Sequence, residues 1–220
     1  MILEYKTVHM DGEVEIIIEK SKFIGYVRPI KTESEGNNFI EEIRTKHHNA
    51  THNVTAYMLG WNDEIQKYND DGEPTGTAGV PVLEVIKKES LKNVAIVVTR
   101  YFGGVKLGSG GLIRAYTKTA KQALDAGRII TRYLFKLVAI QVEYTLSGKL
   151  QNELIKYQYL IKNIEYTENV KIYVYVKADR VENLKKHVID FTSSRCTFTT
   201  IKEEYLTELD GKIMMDKNIK

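Results

Sequence analysis

Apolar and polar positions alternate at Val14, Ile16 and Ile18, break at Glu19-Lys20-Ser21-Lys22, and resume as Phe23-Ile24-Gly25-Tyr26-Val27, which predicts two strands joined by a polar turn. The period then lengthens. Thr32 and Glu35 stand at capping-box spacing, and Phe39, Ile40 and Ile43 carry one apolar face toward Lys46-His47-His48, so a helix is expected from about Glu33 to His47. Residues Asn53 to Gly60 alternate as a strand. Asp70-Asp71-Gly72-Glu73-Pro74 has the residues of a tight turn, and Val82, Val85 and Ile86 suggest a short helix with Pro81 in its first turn. Asn93 to Thr99 is a continuous apolar run short enough to be a buried strand.

That strand feeds Arg100-Tyr101-Phe102-Gly103-Gly104-Val105-Lys106-Leu107-Gly108-Ser109-Gly110-Gly111, a turn holding five glycines, and then a helix over Leu112 to Ala126. Leu112, Tyr116, Ala120 and Leu124 recur every fourth residue and are expected to face the core. Arg114, Lys118 and Lys121 form a second stripe at i, i+4, i+7.

Beyond Gly127 the pattern restarts. Val138, Ile140, Val142 and Tyr144 alternate as a strand, and Ser147 can cap a helix carrying Leu150, Leu154 and Tyr157. Tyr159 to Tyr166 and Val170 to Lys177 flank Glu168-Asn169 like a hairpin, Asp179 can cap a helix with Leu184, Val188 and Phe191, and Thr197 to Tyr205 is a last strand. The order β-α-β-β-α-β is the split, ferredoxin-like arrangement. The chain therefore divides into an α+β domain over 1–130, a ferredoxin-like domain over 131–206 and a polar tail over 207–220, with the boundary near Gly127 to Tyr133.

Charge matters through its distribution. The 220 residues carry 32 Lys and Arg against 29 Asp and Glu, a net +3 too mild to imply a polyanion partner by itself. From Ser90 to Leu124, however, there is no Asp or Glu, while Lys92, Arg100, Lys106, Arg114, Lys118 and Lys121 are present. Asp63, Glu64, Asp70, Asp71 and Glu73 crowd just upstream. One segment attracts anions and its neighbour repels them. No apolar run approaches a membrane span and the first residues lack a secretory pattern, so a cytoplasmic protein with no membrane partner is expected. The single cysteine, Cys196, can make neither an internal disulfide nor a CxxC pair and is expected as a small strand residue.

The glycine-rich turn is the strongest chemical signal. Glycines let backbone N–H groups approach a ligand, and a helix start adds unpaired donors, so phosphate is the natural guest. Arg100, Gly103, Gly104, Lys106, Gly108 and Ser109 then form the candidate binding turn, with Arg114, Lys118 and Lys121 following a nucleic-acid backbone and Tyr101 and Phe102 free to stack on bases if exposed. A plain strand-to-helix turn with a buried Tyr101-Phe102 is the rival reading. The segment matches neither Walker A nor a dinucleotide fingerprint. Asp71 and Glu73 are weak Mg²⁺ candidates, no cofactor is otherwise expected, and His47, His48 and His52 read as surface residues near a helix end. Gly108-Ser109-Gly110 lacks nucleophile-elbow spacing, and no catalytic residue is assigned.

The stretch from Gly79-Val80-Pro81-Val82-Leu83 through Val97-Val98-Thr99-Arg100-Tyr101-Phe102-Gly103-Gly104-Val105-Lys106-Leu107-Gly108, with DGEPTGTAG before it, closely resembles the signature of the YigZ/IMPACT family. The resemblance covers about residues 4 to 126, and the later half looks like the C-terminal domain of bacterial members. It implies a ribosomal protein S5 domain 2-like first domain, also seen in elongation factor G and small-molecule kinases, and a second domain like the ferredoxin-like C-terminal domains of that factor. It carries over the motif positions Asp71, Gly72, Glu73, Thr77, Gly79, Arg100, Tyr101, Gly103, Gly104, Lys106 and Gly108, and no catalytic residue. Eukaryotic members regulate translation through an additional N-terminal RWD domain, for which this length leaves no room. What the resemblance implies for this chain is contact with RNA or the ribosome, or with a protein partner in translation control. A Mg²⁺-dependent enzyme acting on a phosphorylated small molecule and a protein-binding adaptor are the alternatives.

Overall fold

The computed structural model describes residues 2–209 and 212–214. The chain forms two compact units, one holding Tyr5–Thr131 and the other Ile2–Glu4 with the described residues from Arg132 onward.

The first unit follows the order β1 (Glu4–Val8), β2 (Gly12–Ile18), β3 (Ser21–Pro29), α1 (Glu33–Lys46), β4 (His52–Leu59), β5 (Ile65–Asn69), α2 (Gly79–Lys88), β6 (Val94–Tyr101), α3 (Gly108–Ala126). Strands β2-β3-β6-β4-β5 pair in that order, every pairing antiparallel. Alternation on the strands sends two sets of side chains to opposite faces. Val27, Ile96 and Ala56 lie across from one another and face α2 and α3, where Val82, Ile86, Leu112, Tyr116, Ala120 and Leu124 close a core. One residue along, Tyr26 and Val97 pair and join Tyr57 and Ala95 on the other face, against Phe39, Ile40 and Ile43 of α1. The expected apolar stripe of α3 is thus wholly buried. Thr32 caps α1 as predicted, accepting from the Glu35 N–H at 3.1 Å, while the Glu35 carboxylate reaches back to the Lys31 N–H.

The second unit contains most of β7 (Ile129–Val142), then α4 (Tyr144–Lys156), β8 (Leu160–Tyr166), β9 (Val170–Lys177), α5 (Val181–Thr192), β10 (Cys196–Leu209) and β11 (Lys212–Met214). Strand order β10-β7-β9-β8, all antiparallel, makes it ferredoxin-like. Val138, Ile140, Ile172 and Val174 meet Leu150, Leu154, Leu184 and Val188 from the two helices.

Several boundaries differ from expectation. Tyr144 opens α4 instead of ending a strand, so Ser147 lies one turn inside the helix, its hydroxyl donating to the Tyr144 carbonyl at 2.9 Å. Asp179 sits in a 3-10 turn ahead of α5 and caps nothing. Within the expected polar tail, Thr207–Leu209 continue β10 and Lys212–Met214 pair back on them as β11. The other residues of that tail lie outside the described residues. Strand β5, with the polar sequence IQKYN, was invisible to periodicity because it is an exposed edge.

Candidate nucleic-acid interface

Four segments of the first unit converge beneath the glycine-rich turn. Arg100, the next-to-last residue of β6, is 5% exposed, and its Nη1 donates to Glu73 Oε1 at 2.6 Å. Tyr116 of α3 donates its hydroxyl to the same oxygen at 2.8 Å, and Ser21, opening β3, receives a long contact from Arg100 Nη2 at 3.4 Å. The rings of Phe23 and Phe102 lie 5.4 and 5.5 Å from the guanidinium carbon, while Arg100 Nε has no hydrogen-bond partner among the described residues. Burial and the adjacent Glu73 charge push the Tyr116 phenol well above its ordinary pKa, keeping it a donor. Arg100 was expected to hold phosphate. It is placed instead in the interior with its charge answered by Glu73.

The acidic turn is equally committed. Asp70 accepts from the N–H groups of Gly76, Ala78 and Gly79 at 2.9, 3.1 and 2.7 Å, filling the donors at the start of α2 from outside the helix. Asp71 accepts from the Asn53 N–H at 2.5 Å, and its carbonyl accepts from His52 Nδ1 at 2.7 Å. Among the described residues no group of three or more His, Cys, Asp or Glu is arranged to hold a metal. Glu73 is thus engaged by Arg100 and Tyr116, and Asp71 by a backbone donor.

The turn itself is shaped by packing at one glycine and left open at others. A Cβ on Gly103 would stand 2.0 Å from the Lys20 carbonyl carbon, and the Gly103 N–H donates to Ser21 Oγ at 3.2 Å. Gly103→Ala is therefore expected to cost about 1–3 kcal/mol, as overpacking against rigid backbone does, and to show as a lowered urea midpoint. Gly104 and Gly108 have φ of +85° and +69°, and a Cβ at either would meet nothing within 4 Å. Helix α3 begins at Gly108 with no side-chain cap, and Ser109 is its exposed second residue.

Lys106, Arg114 and Lys118 border one groove of about 370 Å³, together with Glu19 and the half-buried Ile18, Val105 and Leu107. None of these three cations makes an ion pair among the described residues. Lys121 differs from the rest of its stripe, being bound to Asp125 at 3.0 Å and Glu89 at 3.1 Å. Phe102 is 46% exposed, whereas Tyr101 points its hydroxyl to His47 Nδ1 at 2.8 Å and Asn49 at 3.1 Å. The structure so brings Lys106, Arg114 and Lys118 together beside the open turn, and separates them from Arg100, Lys121 and Tyr101.

His47 is buried, not a surface residue: the Tyr26 hydroxyl lies 2.7 Å from its Nε2 while Tyr101 faces Nδ1. Desolvation by burial, reinforced by the nearby Lys46 charge, holds its pKa below the ordinary histidine value. The unfolded chain therefore takes up this proton first, so the contribution is full above about pH 6.5 and is lost as pH falls through the lowered folded value. His47→Gln is expected to flatten the loss of stability between about pH 7.5 and pH 5 in denaturant titrations. A slope unchanged by the substitution rules the contribution out. His48 is exposed, and His52 is half-buried with Nε2 3.8 Å from Glu73. The Glu73, Arg100, Tyr116 and Ser21 cluster was missed as a unit because its members are scattered along the chain, Arg100 lying 79 positions from Ser21 and 27 from Glu73, although DGEPTGTAG and TRYFGG each flagged one member of it.

Comparison with known proteins follows this division. The Impact N-terminal domain model matches residues 19–124, and a domain of unknown function, DUF1949, matches residues 140–195. The chain is 47% identical over 213 residues to the IMPACT family member YvyE of Bacillus subtilis, covering 97% of each protein. It is 30% identical over 188 residues to the IMPACT family member YigZ of Escherichia coli, covering 84% of this chain and 92% of that one. Protein IMPACT of Homo sapiens is 30% identical over 104 residues, 45% of this chain and 32% of the human protein. A crystal structure of a hypothetical protein, 27% identical, superposes with a TM-score of 0.59 over 92% of this chain and 99% of its own.

Proposed function

The chain belongs to the IMPACT family, and on that premise we propose that it is a non-catalytic RNA-binding protein acting at the translation machinery, with the groove beside the glycine-rich turn as its contact surface. The observation that carries this reading is the set of three cations, Lys106, Arg114 and Lys118, that line one groove and make no ion pair among the described residues. Cations that folding does not neutralise are available to displace counterions from a phosphate backbone. The start of α3 has no side-chain cap, so its first N–H groups add positive character beside the turn. Translation is the setting that the sequence signature implies. The commitment of Glu73 and Asp71 to internal partners favours this over a Mg²⁺-dependent phosphoryl enzyme.

The test is a salt titration with single-stranded RNA. Three neutralised phosphates give a slope of about −2 in log K against log salt, at about −0.7 per phosphate, and Lys106→Ala flattens it by about 0.7. Binding indifferent to salt rejects the reading.

A further inference from the structure

The groove carries more than positive charge, and resting on the reading just given, the geometry points to a single nucleotide of unpaired RNA with an amino-bearing base as its occupant. Three elements supply three kinds of surface. The turn and α3 supply the cations Lys106, Arg114 and Lys118, the turn also supplies Val105 and Leu107, and the β2–β3 hairpin supplies Ile18 and the carboxylate of Glu19. A purely electrostatic track for duplex phosphates has no use for the apolar part or for an acid. A nucleotide has use for all of it. Its phosphate meets the cations, the face of its base covers Ile18, Val105 and Leu107, and the donors on the edge of the base meet Glu19.

Each part argues for a narrower ligand. Bases in a duplex are stacked on both faces, so the apolar surface is reached only by an unpaired, splayed base. A volume of about 370 Å³ lies at the small end of the range for ligand sites, about 300–1,000 Å³, and admits one residue of the strand. Glu19 is exposed at the first left-handed position of the hairpin turn, φ 46°, and makes no ion pair among the described residues. As an acceptor it suits the exocyclic amine of adenine, cytosine or guanine. Uracil offers only an N3–H flanked by two carbonyl oxygens, which repel a carboxylate.

Fluorescence anisotropy with labelled oligo(A), oligo(C) and oligo(U) of equal length, and with an RNA duplex, tests the assignment on the full chain at one low salt concentration. Expected is binding of oligo(A) and oligo(C) about tenfold tighter than oligo(U), the lower end of the effect of a hydrogen bond to a charged group, with the duplex weaker than all three. Glu19→Gln is expected to weaken oligo(A) and oligo(C), which lose the charged acceptor, to strengthen oligo(U), whose carbonyl oxygens lose a repelling neighbour, and so to erase most of the difference between bases. Salt-sensitive binding in which oligo(U) or the duplex equals oligo(A) overturns the nucleotide assignment and leaves the RNA-binding reading standing. A preference that survives Glu19→Gln intact overturns the role of Glu19. Absence of salt-sensitive binding to any of the four probes overturns both together.

Discussion

Glu73→Ala is expected to cost about 3–5 kcal/mol of folding stability, and Arg100→Ala a similar amount, because each leaves its partner as an uncompensated charge in the interior. The side chains are 3% and 6% exposed, so water cannot take over the lost interaction. Set against a typical total of about 5–15 kcal/mol, either substitution leaves the first unit marginal. The loss reports the penalty of breaking the pair, not its net worth. Replacing both partners by apolar residues of similar size, as in Glu73→Leu/Arg100→Met, is therefore expected to recover much of it, short of what Tyr116 forfeits when its hydroxyl loses Glu73 Oε1. Urea midpoints of the two single variants and the double variant decide the matter. A reading of Arg100 as a surface phosphate ligand predicts the opposite outcome for Arg100→Ala, a stability change within about 0.5 kcal/mol and a direct loss of RNA affinity.

What was legible in the sequence was what local pattern encodes. The β2–β3 alternation, the Thr32 cap, the four-residue stripe of α3 and the β-α-β-β-α-β order each follow from neighbours within a few positions, and each appears in the structure. Arg100 and Lys106 looked alike in the sequence because both are cations flanking one glycine turn. Their fates diverge through a carboxylate 27 positions from Arg100, a pairing that no local spacing announces. His47 repeats the lesson. Its place at a helix C-terminus suggested exposure, but Tyr26 of β3 and Tyr101 of β6 close over it from the sheet. Lys121 kept its expected helix face and lost its availability to Glu89, a residue just beyond α2, as well as to Asp125 on its own helix. The candidate site was thus legible as a segment, while the sorting of its cations into structural and available ones required the fold.

That sorting makes a quantitative prediction. Lys106→Glu/Arg114→Glu/Lys118→Glu changes exposed residues only, so stability is expected to hold within roughly 0.5 kcal/mol per site. Affinity for RNA is expected to collapse. At about 1 kcal/mol for each Lys or Arg beside an anionic surface, loss of three cations alone weakens binding roughly 100-fold, before the added repulsion of three carboxylates. Lys121→Ala provides the contrast, because that ammonium already serves Glu89 and Asp125. The decisive measurement is the dissociation constant for single-stranded RNA of the unmodified chain, the triple variant and Lys121→Ala, taken at one low salt concentration after circular dichroism has shown all three folded. A loss of roughly 100-fold or more in the triple variant, with Lys121→Ala within about threefold of the unmodified chain, is the predicted result. Equal affinities for all three proteins would contradict the assignment of the groove as the RNA contact.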